Sequence, residues 1–148
     1  MARDYRLGAG RRLINRIVAK RVRAGKSVGA DVRLLTTIGR KSGLERTTPV
    51  TIVEVGGNEW LVAPYGAVAW VHNLRASGTA TLAKGDESLG VRAVEATPAE
   101  AAPVLKHYIT EVKVVRPFFD VSHEDPVASF IDIAPGKPVF EIEALPKT

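Results

Sequence analysis

The chain has 148 residues, 45% of them hydrophobic and 25% charged, the length and balance of one globular domain with a single core. It contains no cysteine, which excludes a disulfide framework, a thiolate metal site and a thiol nucleophile, and which fits a reducing cytoplasm. The formal charge of +5 is unevenly placed: residues 1–26 carry nine Arg or Lys against one acid, Asp4, and the remainder is mildly acidic, which argues against a nucleic-acid-binding surface on the body of the protein.

From about Gly10 to Gly25, Leu13, Ile14, Ile17, Val18 and Val22 recur at helical spacing, with Arg11, Arg12, Asn15, Arg16, Lys20 and Arg23 around them. This predicts a basic amphipathic helix in an arm over residues 1–28, ahead of a domain at 29–148. Three roles are open to the arm. Its apolar stripe packs on the domain, or it lies on an anionic membrane surface, or it contacts nucleic acid. On a membrane each cation near the surface adds about 1 kcal/mol. No apolar run approaches the roughly 20 residues needed to cross a bilayer, and the start lacks the apolar core of a signal peptide. The expected location is cytoplasmic, peripheral to the inner face of the membrane if the arm binds lipid.

Val32–Ile38 is rich in β-branched residues and reads as a strand running into the loop Gly39-Arg40-Lys41-Ser42-Gly43. Two adjacent cations between two glycines suit an anion. Backbone N–H groups, Arg40, Lys41 and the Ser42 hydroxyl can converge on a phosphate or carboxylate, with Arg46 as a third cation. Taken alone, the loop is equally well read as a solvated hairpin turn. Thr47–Val55 is a second strand, in which Pro49 marks an edge or bulge. Gly56-Gly57-Asn58 is a hairpin turn, and Trp60–Ala63 a third strand ending in Pro64-Tyr65-Gly66, where a backbone can pass close to a flat ligand.

A short helix is expected over Ala69–Ser77, closed by Gly78, with Trp70, Asn73, Leu74 and Ser77 on its inward face and His72 and Arg75 pointing away. Thr79–Ala83 and Ser88–Glu95 are fourth and fifth strands around Gly85-Asp86. Thr97-Pro98-Ala99-Glu100 has capping-box form and opens a helix with the stripe Ala101, Val104, Leu105, Tyr108 and Val112, in which Pro103 predicts a kink or a later start. Arg116-Pro117-Phe118-Phe119 breaks that helix and offers aromatic wall material. A further short helix is expected near Ser122, and Val139–Ile142 is the last strand. Six short strands without a glycine-rich crossover predict a small, mostly antiparallel barrel with peripheral helices, not a Rossmann unit.

The side chains able to do chemistry are few. His72, His107 and His123 form no pair at metal-ligand spacing, and no nucleophile elbow, P-loop or H-E-x-x-H motif is present. An enzyme of this composition takes its reactive centre from a cofactor.

The run from Leu34 to Gly43, followed by Glu45-Arg46-Thr47-Thr48-Pro49 and then Ala69-Trp70-Val71-His72-Asn73-Leu74-Arg75-Ala76, resembles the deazaflavin-dependent nitroreductase family. The resemblance covers roughly residues 30–96 well and the C-terminal third loosely. It implies a mainly β (α+β) split β-barrel, similar to the FMN-binding split barrels, and coenzyme F420, a 5-deazaflavin with a phosphate and polyglutamate tail. In that family the reduced cofactor gives a hydride to quinones, nitro compounds or other activated double bonds. By this resemblance Arg40, Lys41 and Arg46 bind the phosphate and tail, with Ser42 and Thr48 as hydroxyl donors and Pro49 beside them. The ring lies against Ala63, Pro64, Tyr65 and Gly66 and the helix bearing Trp70 and Asn73, and Tyr65 and Tyr108 are candidate proton donors.

There are two departures. Members that activate nitroimidazoles carry a Ser-Lys-Gly-Gly-like segment in place of Pro64-Tyr65-Gly66-Ala67, and a tyrosine-rich stretch in place of Val115-Arg116-Pro117-Phe118-Phe119. The expectation is therefore an F420H2-dependent reductase of a small hydrophobic acceptor. FMN is the alternative cofactor, and a non-catalytic lipid- or fatty-acid-binding split barrel the alternative function.

Overall fold

The computed structural model describes residues 31–146, so the arm of residues 1–28 and its amphipathic helix lie outside the described residues. Six strands follow one another as β1 (Val32–Ile38), β2 (Glu45–Val55), β3 (Asn58–Val62), β4 (Thr79–Lys84), β5 (Glu87–Glu95) and β6 (Val139–Ala144). They close into a barrel in the order β1-β2-β3-β6-β5-β4, with every neighbouring pair antiparallel. Three α-helices are inserted: α1 (Ala69–Ser77), α2 (Pro98–Glu111) and α3 (Val127–Ile133), with a 3-10 segment over Lys113–Phe118. The expected mainly antiparallel split barrel is what forms.

Alternation along the strands builds two cores. Leu35, Ile52, Leu61, Phe140 and Ile142 fill the barrel with Val71 and Leu74 of α1, whereas Val53, Trp60, Val62 and Val139 face outward onto α2 and α3. Phe130 of α3 and Leu105 and Ile109 of α2 are fully buried in that outer layer. The Trp60 indole N–H donates to the Val55 carbonyl at 3.0 Å, so its one polar group is satisfied where the ring is buried.

Three local expectations change. First, α2 runs unbroken through Pro103, whose ring is exposed. It starts at Pro98 on a complete capping box, with Thr97 Oγ1 accepting from the Glu100 N–H and Glu100 Oε1 from the Thr97 N–H. Second, the short helix begins at Val127, not near Ser122. Ser122 and Asp125 close a turn through paired bonds of 2.9 Å, and Pro126 holds its own backbone extended before the helix can start. Third, α1 turns Val71 inward with Asn73 and Leu74 and leaves Ser77 exposed.

Candidate functional site

β2 meets its two neighbours over different stretches of its length. Ile52–Val55 lies against β3, while Glu45–Thr51 pairs with β1, and among the described residues no second strand lies along that edge of the barrel wall. This is the edge position that Pro49 signalled, since a residue without an N–H loses least where no second strand is present. The open edge, Thr47 to Thr51, bounds a cavity of about 930 Å³. Arg40, Lys41, Ser42 and Arg46 line one end of it. Pro64, Tyr65, Val68, Ala69 and Trp70 form the facing wall, and Val32, Tyr108, Val112, Val114 and Val115 line the other end. From Arg46 to Thr51 the strand alone spans about 17 Å, so the site is a long slot with a charged end and an apolar end.

The charged end rests on a tightly folded loop. The Gly39 N–H donates to the Leu44 carbonyl and the Gly43 N–H to the Gly39 carbonyl, each at 2.8 Å, and the Leu44 N–H reaches Ser42 Oγ at 3.2 Å. A Cβ on Gly39 would lie 2.5 Å from Ser42 Oγ, so no other residue fits there without moving the serine. These bonds revise the reading of the loop as a cup of backbone donors. Three of its N–H groups, those of Gly39, Arg40 and Gly43, are already used within the protein, as is that of Leu44 just after it. That leaves the exposed side chains of Arg40, Lys41, Ser42 and Arg46, with the Lys41 and Ser42 N–H groups, as the donors an anion would meet. Among the described residues no carboxylate pairs with Arg40, Lys41 or Arg46.

Asn73 sets the position of Arg40. It is 2% exposed, and its Oδ1 accepts from both the Arg40 backbone N–H (3.2 Å) and Arg40 Nη1 (3.1 Å). Its Nδ2 donates to the buried Thr37 Oγ1 at 3.1 Å. One amide thus ties α1 to the end of β1 and to the cationic loop.

The facing wall leaves β3 at Ala63. Gly66 turns it with φ +92°, a conformation that costs a residue with a side chain more than glycine. Tyr65 packs edge-on against Phe118 at 4.9 Å between ring centroids. Tyr108 of α2 closes the apolar end, 2% exposed, beside Thr51 in the cavity wall. Burial, and secondarily the Tyr65 phenol, push the Tyr108 phenol well above the ordinary tyrosine range.

Of the residues singled out in the sequence, Arg40, Lys41, Ser42, Arg46, Thr48, Pro49, Pro64, Tyr65, Trp70, Asn73 and Tyr108 all line this one cavity. Ala63 and Gly66 do not. Ala63 is buried in the barrel core, and Gly66 is the bend that presents its neighbours. Phe118 and Phe119 stand behind the wall, not in it: Phe118 backs Tyr65 and Phe119 belongs to the core between barrel and helices. At the apolar end, Val115 lies in the stretch that departs from the family's tyrosine-rich one, while Val32, Val112 and Val114 are not marked as site residues by the sequence. Val112 had been read only as helix stripe, and nothing in the order of residues marks Val32 as their neighbour. Among the described residues no cluster of His, Cys, Asp or Glu could hold a metal ion.

A split barrel whose slot has a cationic end and an apolar end has the shape and charge that a flavin- or deazaflavin-type oxidoreductase requires. The chain belongs to the F420H(2)-dependent quinone reductase family, whose model matches residues 11–120. It is an F420-dependent reductase with coenzyme F420 as its cofactor. No curated protein matches the chain. Among solved structures, one described as a domain-swapped dimer is 25% identical over 90% of this chain and 96% of its own, with a TM-score of 0.54. Atu2129 from Agrobacterium tumefaciens, described as of unknown function, is 16% identical over 95% of this chain and 57% of its own, with a TM-score of 0.58, and shows the fold alone. The F420-H2 dependent reductase FDR-A is 26% identical over 76% of this chain and 94% of its own, at a TM-score of 0.43.

The residues present fit this cofactor. A phosphate and several carboxylates need cations not already paired with an acid, and among the described residues the slot offers three at one end, Arg40, Lys41 and Arg46. A flat ring needs apolar walls, and Pro64, Tyr65 and Trp70 provide them.

Proposed function

We propose that this reductase acts on a small hydrophobic acceptor, a quinone in preference to a nitro compound. The observation that carries the reading is the apolar end of the slot, walled by Val32, Val112, Val114 and Val115, with Val114 72% exposed at the rim. Among the described residues, an acceptor entering there meets methyl groups and two phenols and no charged side chain.

When bound, reduced F420 supplies the hydride. The chain's own residues do the rest. Arg40, Lys41 and Arg46 hold the phosphate and carboxylate tail, with Ser42 and Thr48 as hydroxyl donors. Trp70, Pro64 and Tyr65 orient the ring, and the loop's backbone, apart from the Ala63 and Gly66 N–H groups that already donate to the Pro138 and Ala63 carbonyls, stabilises negative charge on it without a titrating side chain. Tyr65 is the better proton donor of the two phenols. It is part-exposed on the cavity wall, whereas Tyr108 is buried and its phenol held protonated by that burial.

Among the described residues no helix is long and apolar enough to cross a membrane. A cytoplasmic protein whose basic arm, residues 1–28, rests on an anionic membrane would meet apolar acceptors where they dissolve. Its partners on this reading are the small acceptor and the lipid surface, with no nucleic acid.

The test is a titration with F420 beside FMN, followed by quinone-dependent and nitro-dependent oxidation of the reduced cofactor. Saturable F420 binding with turnover on quinone supports the proposal. F420 binding without turnover, with lipid recovered on extraction, points to a carrier and refutes it.

A further inference from the structure

Lys137 has no place in the motifs that mark the cofactor site, and its side chain does not line the cavity. It sits in the turn between α3 and β6, where its own N–H donates to the Ala134 carbonyl at 3.0 Å. Its ammonium crosses to the wall loop and donates to the Pro64 carbonyl at 2.7 Å. The same group lies 4.8 Å from the centroid of the buried Phe119 ring. The loop and the turn touch at two further points. The Ala63 N–H donates to the Pro138 carbonyl at 2.8 Å, and a Cβ on Gly66 would stand 3.5 Å from the Gly136 carbonyl. The loop that carries Pro64 and Tyr65 is therefore docked on the 134–138 turn, and Lys137 provides its only charged contact there among the described residues.

We propose that Lys137 is a positioning residue for the ring of the cofactor, acting through the Pro64–Tyr65 peptide. The physical grounds are two. A charge-assisted bond to a backbone carbonyl is stronger than a neutral one, so it fixes the wall against which the ring lies. The peptide is also planar and trans, so a cation on the Pro64 oxygen draws electron density from the same unit that carries the Tyr65 N–H on its opposite side. That N–H becomes the stronger donor, in the loop assigned to stabilising negative charge on the ring.

The surroundings fit a cation kept for this purpose. Lys137 is partly buried, and desolvation lowers its pKa, which the Asp120 charge partly offsets. A lysine recruited only for solubility would have its head in water.

This inference rests on the F420 site described above, and the test separates the two. Affinity is measured for F420 and for the tail-less 5-deazaflavin, with Lys137→Met, Lys137→Arg and the unaltered chain, together with the absorption spectrum of the bound oxidised ring. Lys137→Met should weaken both ligands equally, by about tenfold, and shift the bound spectrum, while Lys137→Arg restores most of the affinity. Amide exchange in the cofactor-free protein should quicken at residues 65–68 in Lys137→Met and stay unchanged in the cationic loop. Unchanged affinity and spectrum in Lys137→Met, with only a lower melting temperature, overturns the proposal and leaves the site standing. If the unaltered chain binds neither ligand, both fall. Should Lys137→Met not fold, Lys137→Gln, with a shorter neutral donor, carries the same comparison.

Discussion

Replacing Asn73 by alanine tests whether one buried amide holds the charged end of the slot. The side chain makes three hydrogen bonds at 3.1–3.2 Å, two from Arg40 and one to Thr37. A typical bond contributes about 1 kcal/mol net, and stranding a buried donor or acceptor adds a desolvation cost. Arg40 is exposed, so its guanidinium contact is discounted for solvent screening. The expected loss is about 2–4 kcal/mol, a fall in melting temperature of roughly 10 °C for a domain of this size. Freed from Asn73, Arg40 loses its preset position, and F420 affinity should drop about tenfold. Thr37→Val provides the contrast. It removes only the far bond, costing about 1 kcal/mol with F420 affinity unchanged. Urea unfolding and fluorescence titration of F420 read the two quantities. An Asn73→Ala protein within 1 kcal/mol of the parent, or one folded and binding F420 as before, would refute the reasoning.

Three further predictions concern separate parts of the molecule. Arg40→Ala with Lys41→Ala should weaken F420 about 100-fold yet leave the tail-less ring unaffected in the same titration; equal losses for both ligands would put these cations at the wrong end. Tyr108 has a raised pKa, so its contribution to stability is fully present below about pH 10 and is lost as pH climbs above it. Urea midpoints should therefore fall between about pH 8 and about pH 11, and fall less in Tyr108→Phe; parallel declines would show that the phenol is not buried as described. Thr97→Ala removes half the capping box of α2 and should cost about 1 kcal/mol while F420 binding stays constant, since that end of α2 lies away from the slot. A changed affinity would mean that α2 moves as a unit with the site.

Much of this architecture was legible because it depends on neighbours in the chain. Alternating β-branched residues marked β1 and β2, the capping box marked α2, and Gly78 marked the end of α1. The cationic loop was legible for the same reason, since Arg40, Lys41, Ser42 and Arg46 fall within seven positions. What distance along the chain concealed is equally specific. The amide of Asn73 takes up the Arg40 N–H from 33 residues away, and Lys137 reaches Pro64 across 73. No local pattern records either bond. The apolar end was hidden because Val112, Val114 and Val115 meet Val32 only after the barrel has closed, and valines near a helix end read as ordinary core. The later start of α3 followed from Pro126, a signal present in the sequence and outweighed by the Ser122 turn that precedes it.

The half-paired strand has a wider consequence. Because β2 borders the slot with its unpaired edge and packs the barrel through its other half, a bound molecule can be exchanged without disturbing the hydrophobic interior. The gripping residues belong to the β1–β2 hairpin, while Val112, Val114 and Val115 hang from the short stretch after α2. On the function proposed above, substitutions in that stretch would retune which oxidant is accepted while the charged end stays constant. Closely similar barrels could in this way diverge in appetite without diverging in the donor they share.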